Sequence, residues 1–429
     1  MKKLLIRGGK KLEGEVAIAG AKNAALPLMV ASILTDEKLT LTNVPHVADI
    51  ATMANLLENL GVTITFDGND PDLGWQGRAI IFDAGKISSD PIAPYDLVRK
   101  MRASIFALGP LLARCGKAKI SLPGGCAIGT RPVDLHLKAM EKLGAKIELK
   151  GGYIEAHVEG KLRGAEIIFE KVSVGATESA MMAASLARGK TTIINAACEP
   201  EIIDLAKCLN AMGAKITGAG TPQISIEGVE KLHAARHKII ADRIEAGTYA
   251  IAAGITDGRI ILRDVEMWVM SSFKQELYDA GIALNQISAN AIEVKRISKN
   301  IRPVSITTNP FPGFPTDMQA QFMALMTIAN GASTIEETIF ENRFMHVMEL
   351  QRMGANIESH GNIAVVKGVE KLTGAEVMAT DLRASVCLVL AALIAEGETI
   401  INRLYHLERG YERLAEKLIA CGADIKILY

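Results

Sequence analysis

The sequence predicts an α/β protein of two domains, each built from three copies of one strand–helix unit, six internal repeats in all. Three observations carry that prediction. A helix-ending phrase recurs six times, as Leu60-Gly61-Val62, Leu143-Gly144-Ala145, Met212-Gly213-Ala214, Ala280-Gly281-Ile282, Met353-Gly354-Ala355 and Cys421-Gly422-Ala423. Its glycines stand 83, 69, 68, 73 and 68 residues apart, the mark of an internal repeat. A second phrase, Gly228-Val229-Glu230-Lys231-Leu232, returns letter for letter as Gly368-Val369-Glu370-Lys371-Leu372, two periods later. Length agrees: 429 residues, at roughly 100–200 per domain, give two or three domains.

The elements of one unit follow in order. Each phrase glycine closes an amphipathic stretch, where a left-handed residue ends a helix. A strand-like alternation comes next, as in Ala145-Lys146-Ile147-Glu148-Leu149. Between these landmarks lie Ala/Met-rich helical runs over 23–34, 102–113, 177–187, 246–255, 318–329 and 383–395. A short strand follows each, such as Thr191-Thr192-Ile193-Ile194 or Glu398-Thr399-Ile400-Ile401. One unit therefore reads strand, helix, strand, helix, strand, strand, and the second phrase precedes the Ala/Met helix. The sixth unit runs out one strand short, at Ile425-Lys426-Ile427-Leu428-Tyr429. Ile6 to Gly14 aligns without a gap on Val366 to Gly374, so the N-terminal strand is expected to complete that last unit. One domain is then 22–240, holding repeats 1–3, and the other joins 1–21 to 241–429, holding repeats 4–6. Two crossings between them suit a hinge that opens and shuts a cleft.

Composition narrows the function. Hydrophobic residues make up 49% and aromatics only 4%, so the interior must be packed from small aliphatic side chains. Lys+Arg 48 cancels Asp+Glu 48, which argues against a nucleic-acid binder, and no block of like charges suggests a disordered tail. The opening Met1-Lys2-Lys3-Leu4-Leu5-Ile6-Arg7 lacks the apolar core of a signal peptide. The longest uncharged apolar stretch, around Val386 to Ala395, is too short to span a bilayer. Six cysteines without a CxxC pair fit a reducing compartment. A cytoplasmic protein without a membrane span is expected.

The second unit breaks its pattern at Pro123-Gly124-Gly125-Cys126-Ala127-Ile128-Gly129-Thr130-Arg131-Pro132. Glycine and proline around one cysteine and one arginine describe a shaped loop, and neither a P-loop nor a dinucleotide fingerprint is present. Cys126 reads as a reactive thiol with Arg131 as an anion clamp. Cys198, Cys208, Cys387 and Cys421 read as small buried hydrophobes within or beside apolar runs. Polar groups also stand at the starts of the Ala/Met helices: Lys22-Asn23, Lys171 to Gly175, Asp242-Arg243, Thr316-Asp317 and Asp381-Leu382-Arg383. Capping accounts for Asp317 and Asp381, with Thr316-x-x-Gln319 as a capping box. It does not account for Lys22, Lys171 or Arg383, because a cation opposes the helix dipole there unless an anion lies beside it. Arg102, Arg343 and Arg409 read from the residues alone as solvated helix charges. The eight histidines form no metal set, and His233 and His237 read as surface residues.

Taken together, the cysteine loop continued through Val133-Asp134-Leu135-His136, with Gly20-Ala21-Lys22-Asn23, Lys171 to Thr177, Phe314-Pro315-Thr316-Asp317 and Glu341-Asn342-Arg343, resembles the UDP-N-acetylglucosamine enolpyruvyl transferase family along the whole chain. That resemblance implies a two-domain inside-out α/β barrel with three repeats per domain and a cleft between the domains. It implies transfer of the enolpyruvyl group of phosphoenolpyruvate to the 3-hydroxyl of UDP-N-acetylglucosamine, releasing phosphate, at the first committed step of peptidoglycan synthesis. No cofactor or metal is implied; the partners are the two small substrates. Lys22, Arg131 and Arg409 would hold the phosphate of phosphoenolpyruvate, Arg343 and Arg383 its carboxylate, with Asn23 adjoining. UDP-N-acetylglucosamine would lie along Asn23, Arg102, Arg131, Pro132, Val133, Asp134, Leu135, Lys171, Val172, Ser173, Val174, Asp317 and Ile339; the family often has Val at the last position. Cys126 would be the acid, Asp317 the base, and Lys22 and Arg409 would share in catalysis. A phosphonate epoxide such as fosfomycin would target Cys126. Two rivals stand beside this reading. One is the shikimate-pathway enolpyruvyl transferase, whose pattern lacks Gly125-Cys126-Ala127, and the other is a non-catalytic repeat scaffold.

Overall fold

The computed structural model describes residues 2–67, 78–88, 90–99, 101–122 and 133–429. Within them the strands form six four-stranded sheets that share one strand order. In one, Glu166–Ile168 runs parallel to Lys190–Ile194, which is antiparallel to Gln223–Glu227, itself antiparallel to Lys215–Thr217. The other five repeat this pattern. Register repeats as well. The first residue of each second strand faces the last residue of the antiparallel strand beside it, or in one sheet the last but one, in the pairs Lys38↔Asp83, Lys117↔His157, Lys190↔Glu227, Arg259↔Lys295, Ala332↔Lys367 and Glu398↔Arg7.

The chain divides into two compact units. One joins the residues up to Ala19 to Ala241–Tyr429, and the other comprises the described residues from Gly20 to Ile240. Each draws a strand from far along the chain. Lys3–Arg7 lies between Glu398–Asn402 and Asp424–Leu428, antiparallel to both, and Glu13–Ala17 runs parallel to Arg259–Arg263. In the other unit Ala235–Lys238 runs parallel to Lys38–Val44.

Both recurrent phrases have a physical cause. The six helix-ending glycines all have φ between +90° and +103°, a region costly for any side chain bearing Cβ. The second phrase packs a strand end against a helix end. A Cβ on Gly228 would come 1.7 Å from the Ala187 carbonyl oxygen, and one on Gly368 would come 1.7 Å from that of Ala329. The phrase is followed not directly by the helix but by a short strand, Ala235–Lys238 or Glu376–Met378.

The Ala/Met runs form helices at Lys22–Ala31, Leu108–Cys115, Val174–Ala184, Arg243–Ile255, Gln319–Met326 and Val386–Ala392, the second and fifth preceded by 3₁₀ turns at Arg102–Ala107 and Thr316–Met318. Every residue of the Arg243–Ile255, Gln319–Met326 and Val386–Ala392 helices is buried. A helix apolar on all sides belongs inside, and small side chains let such helices approach one another. These three pack together in one unit, as the Lys22–Ala31 and Leu108–Cys115 helices pack on Val174–Ala184 in the other. Counting back fifteen residues from the six paired strand residues above reaches Asn23, Arg102, Gly175, Ile244, Asp317 and Arg383. Four of the six candidate-bearing helix starts thus present their polar side chain from one place in the unit. No helix among the described residues is long and apolar enough to cross a membrane.

Candidate active site

In the first unit the polar side chains gather where three buried helices begin. Asp317, in the Thr316–Met318 turn, accepts from Arg343 Nη2 at 2.8 Å and stands 3.8 Å from Arg383 Nε. Arg383 is 2% exposed and donates to Asp242 Oδ2 at 2.9 Å and to the Gly410 carbonyl at 2.8 Å. Asp242 spends its other oxygen on the helix it caps, accepting from the Ile244 and Glu245 N–H groups at 2.8 and 3.1 Å. Two guanidiniums are held here away from water, which is tolerable only because carboxylates accompany them. Burial disfavours the Arg343 cation, but Asp317, Asp381 and Glu337 more than offset that and strengthen its hold on the proton. Burial opposes the Arg383 charge in the same way, and the Asp242 and Asp317 carboxylates reverse the balance. Arg409 ends the Leu404–Arg409 turn half-buried, next to the Gly410 that Arg383 grips.

Ile339 is half-buried, and its N–H goes to Glu337 Oε1 at 2.9 Å. Glu337 also accepts from Phe340 N–H and from the Thr308 and Thr316 hydroxyls, which shapes the 337–341 segment. Sequence reading missed Glu337, because its partners come from three separate segments.

The second unit holds the other described candidates. Lys22 opens its helix with no side-chain cap and is 5% exposed; Asp49, itself buried, receives its ammonium at 3.2 Å. The anion demanded by a cation at a helix start is thus supplied by the protein. Asn23 and Arg102 are half-buried. Ser173 caps the Val174–Ala184 helix, accepting from Ala176 N–H at 3.3 Å, with Val172 and Val174 half-buried beside it and Lys171 exposed. Val133 precedes the Asp134–Lys142 helix, whose first turn exposes Asp134 and half-buries Leu135. These segments meet at the buried His136. Its Nδ1 lies 2.9 Å from Ser179 Oγ, its ring centroid 6.2 Å from that of Phe106, and a Cβ on Gly175 would reach its ring at 3.1 Å. Cys126, Arg131 and Pro132 lie outside the described residues.

Several expectations are corrected. Arg343 is no solvated helix charge but 4% exposed and paired with Asp317, while Arg102 and Arg409 are half-buried. Thr316 forms no capping box: Pro315 stands at the cap, the Thr316 hydroxyl donates to Glu337, and Gln319 is wholly buried. Asp317 accordingly turns to the arginines instead of to helix N–H groups. Asp381 does accept from the Arg383 and Ala384 N–H groups, but the helix starts later, at Val386. His237 is not a surface residue; its Nε2 lies 2.9 Å from Asp204 Oδ1, and only His233 is exposed. Cys198 is half-buried, whereas Cys208, Cys387 and Cys421 are buried. No cluster among the described residues could hold a metal ion.

Comparison with known proteins places these features. The profile of the EPSP synthase (3-phosphoshikimate 1-carboxyvinyltransferase) family matches residues 6–418. UDP-N-acetylglucosamine 1-carboxyvinyltransferase of Paramagnetospirillum magneticum is 59% identical over 428 residues, covering 100% of this chain and 99% of its own. The protein of that name from Rhodospirillum centenum is also 59% identical over 428 residues, with 99% of both chains covered. Among solved structures, an enolpyruvyl transferase from Streptomyces tendae superposes with a TM-score of 0.89 at 26% identity, over 100% of this chain and 99% of its own. EPSP synthase from Acinetobacter baumannii gives 0.75 at 17% identity over the whole of both chains, a likeness of fold alone. A fold of two α/β units with repeated strand–helix elements, matched end to end by such relatives, makes this chain a member of the enolpyruvyl transferase family, in its UDP-N-acetylglucosamine 1-carboxyvinyltransferase branch.

Proposed function

We propose that the chain transfers the enolpyruvyl group of phosphoenolpyruvate to the 3-hydroxyl of UDP-N-acetylglucosamine, releasing phosphate, in peptidoglycan synthesis. The observation that carries this reading is the full-length likeness to carboxyvinyltransferases of that acceptor. The six sheets are read as six copies of one unit, three in each compact half, with the Ala/Met helices inside and the sheets outside as an inside-out α/β barrel. Their shared strand order and register support that reading.

Phosphoenolpyruvate is small and carries two anionic groups, so several cations are needed, preferably forked guanidiniums. Lys22, Arg131 and Arg409 take its phosphate, with Asn23 beside them, and Arg343 and Arg383 take its carboxylate. The nucleotide sugar is bound by Asn23, Arg102, Arg131 to Leu135, Lys171 to Val174, Asp317 and Ile339. The chemistry is addition followed by elimination through a tetrahedral intermediate. Cys126 gives a proton to the methylene carbon, and Asp317 takes one from the attacking hydroxyl. Arg343 donates to one Asp317 oxygen and Arg383 stands 3.8 Å from the other, so the two guanidiniums orient the carboxylate.

Cys126 provides the test. Fosfomycin, which presents a phosphonate and an epoxide, is expected to label this cysteine alone, read by peptide mapping. Cys126→Ser is expected to lose most transfer activity, because a hydroxyl is a far weaker acid than a thiol. Cys126→Asp is expected to keep some activity and to escape the label. A label on Cys115 or Cys198, or a fully active Cys126→Ser enzyme, overturns the assignment.

A further inference from the structure

Tyr411 packs on one arginine of the arginine–aspartate cluster and reaches its aspartate through one intervening side chain. It is 3% exposed and directly follows Gly410. The Arg383 guanidinium carbon lies 5.3 Å from its ring centroid, over the face, while the neighbouring Gly410 carbonyl accepts from Arg383 Nη1. Its hydroxyl is 3.0 Å from Thr248 Oγ1 and 3.1 Å from Gln321 Nε2.

Counting hydrogens gives the direction of each bond. Thr248 has one hydroxyl hydrogen and donates it to the Ile244 carbonyl at 2.8 Å, so Tyr411 O–H donates to Thr248. Gln321 Nε2 has two hydrogens. One goes to the Asp317 carbonyl at 2.7 Å; the other faces the Tyr411 phenol oxygen at 3.1 Å, with Thr248 Oγ1 a more distant acceptor at 3.4 Å. Burial pushes the phenol well above its ordinary range, against the pull of Arg383, so the hydroxyl stays protonated and able to donate. The ring therefore supports one arginine, and the hydroxyl reaches, through one glutamine, the backbone of the aspartate.

We propose that Tyr411 is a positioning residue with two separable arms, its ring setting the Arg383 guanidinium and its hydroxyl setting the backbone at Asp317 through Gln321. This rests on the reading above, in which Arg383 holds the carboxylate of phosphoenolpyruvate and Asp317 takes the proton of the sugar hydroxyl. Tyr411 touches neither substrate; it acts through the two groups that do.

Steady-state kinetics of the full chain with both substrates, alongside thermal melting, test the proposal through Tyr411→Phe, Tyr411→Leu and Arg383→Lys. Tyr411→Phe keeps the ring and removes the nearer acceptor of one Gln321 N–H, leaving it only Thr248 Oγ1 at 3.4 Å, so kcat is expected to fall roughly five- to tenfold while KM for phosphoenolpyruvate moves less than about twofold. Tyr411→Leu removes the ring as well and is expected to raise that KM about tenfold. Folded Tyr411 variants with unchanged kcat and KM overturn the proposal. So does a parallel loss of both constants that follows the drop in melting temperature, which is the signature of a merely structural role. Arg383→Lys separates the two levels of inference. An unchanged KM for phosphoenolpyruvate in that variant overturns the reading of Arg383 itself, whereas a raised one with inert Tyr411 variants overturns only the positioning role.

Discussion

Glu178 sits in the Val174–Ala184 helix with its carboxyl buried and one oxygen without a hydrogen-bond partner among the described residues. Burial, then the neighbouring Glu201 and Glu199, push its proton affinity well above the ordinary value of 4.5. In the unfolded chain the group ionises near that value; folded, it keeps its proton to higher pH. The native state therefore binds the extra proton across the window that opens at 4.5, and stability falls as pH rises through it. Glu178→Gln, which cannot ionise, is expected to melt higher than the parent at pH 8, with the gap narrowing toward pH 4. Parallel melting curves across that range in calorimetry would exclude the linkage. The residue scale also shows why part of the site was legible. Lys22, Lys171 and Arg383 stand out in sequence because a cation at the start of an Ala/Met helix opposes the dipole, whereas Asp317 passes there for a cap and Arg102 for a solvated charge. Their partners do not stand out. Asp242 lies 141 residues from Arg383, and Tyr411 lies 90 from Gln321, distances across which only the fold makes neighbours.

Elements were legible where a backbone constraint repeats. The phrase glycines announce helix ends because only glycine takes a φ near +100° without strain. The second phrase persists because Gly228 and Gly368 admit a carbonyl where any Cβ would collide. Gly368→Ala is accordingly expected to cost at least about 3 kcal/mol, read as a lowered denaturation midpoint, since neither the helix end nor the strand can retreat by the distance required. A cost below about 1 kcal/mol would mean that the contact relaxes easily. Aligning Ile6–Gly14 on Val366–Gly374 led to the N-terminal strand and to its place, since Ile363–Lys367 lies between two antiparallel neighbours as Lys3–Arg7 does. Lys3–Arg7 is flanked on both sides, so its loss would split its sheet instead of merely baring an edge. Deleting residues 2–10 is expected to abolish cooperative melting of the unit that contains it. A truncated chain that melts like the full one would contradict the pairing. The capping box at Thr316 misled because a side chain that can cap will instead bond a buried carboxylate such as Glu337 when the fold supplies one.

On the scale of the whole molecule, one repeated architecture explains why chemistry-bearing residues recur at one place in the unit along 429 residues. A helix buried on every side shows polar groups to a ligand at its ends, and that place supplies an amide, a guanidinium, a carboxylate and another guanidinium in four of the six units, with Gly175 and Ile244 in the other two. Which substrates those groups serve does not follow from the repeat; it follows from their identity and from the family to which the chain belongs. The central claim is the acceptor. The most direct measurement is phosphate release from phosphoenolpyruvate by the purified chain, with UDP-N-acetylglucosamine in one series and shikimate 3-phosphate in another. Release in step with a new UDP-sugar product, larger by one enolpyruvyl group, and none with shikimate 3-phosphate, is the expected result. Turnover with shikimate 3-phosphate, or none with either acceptor, would contradict the account.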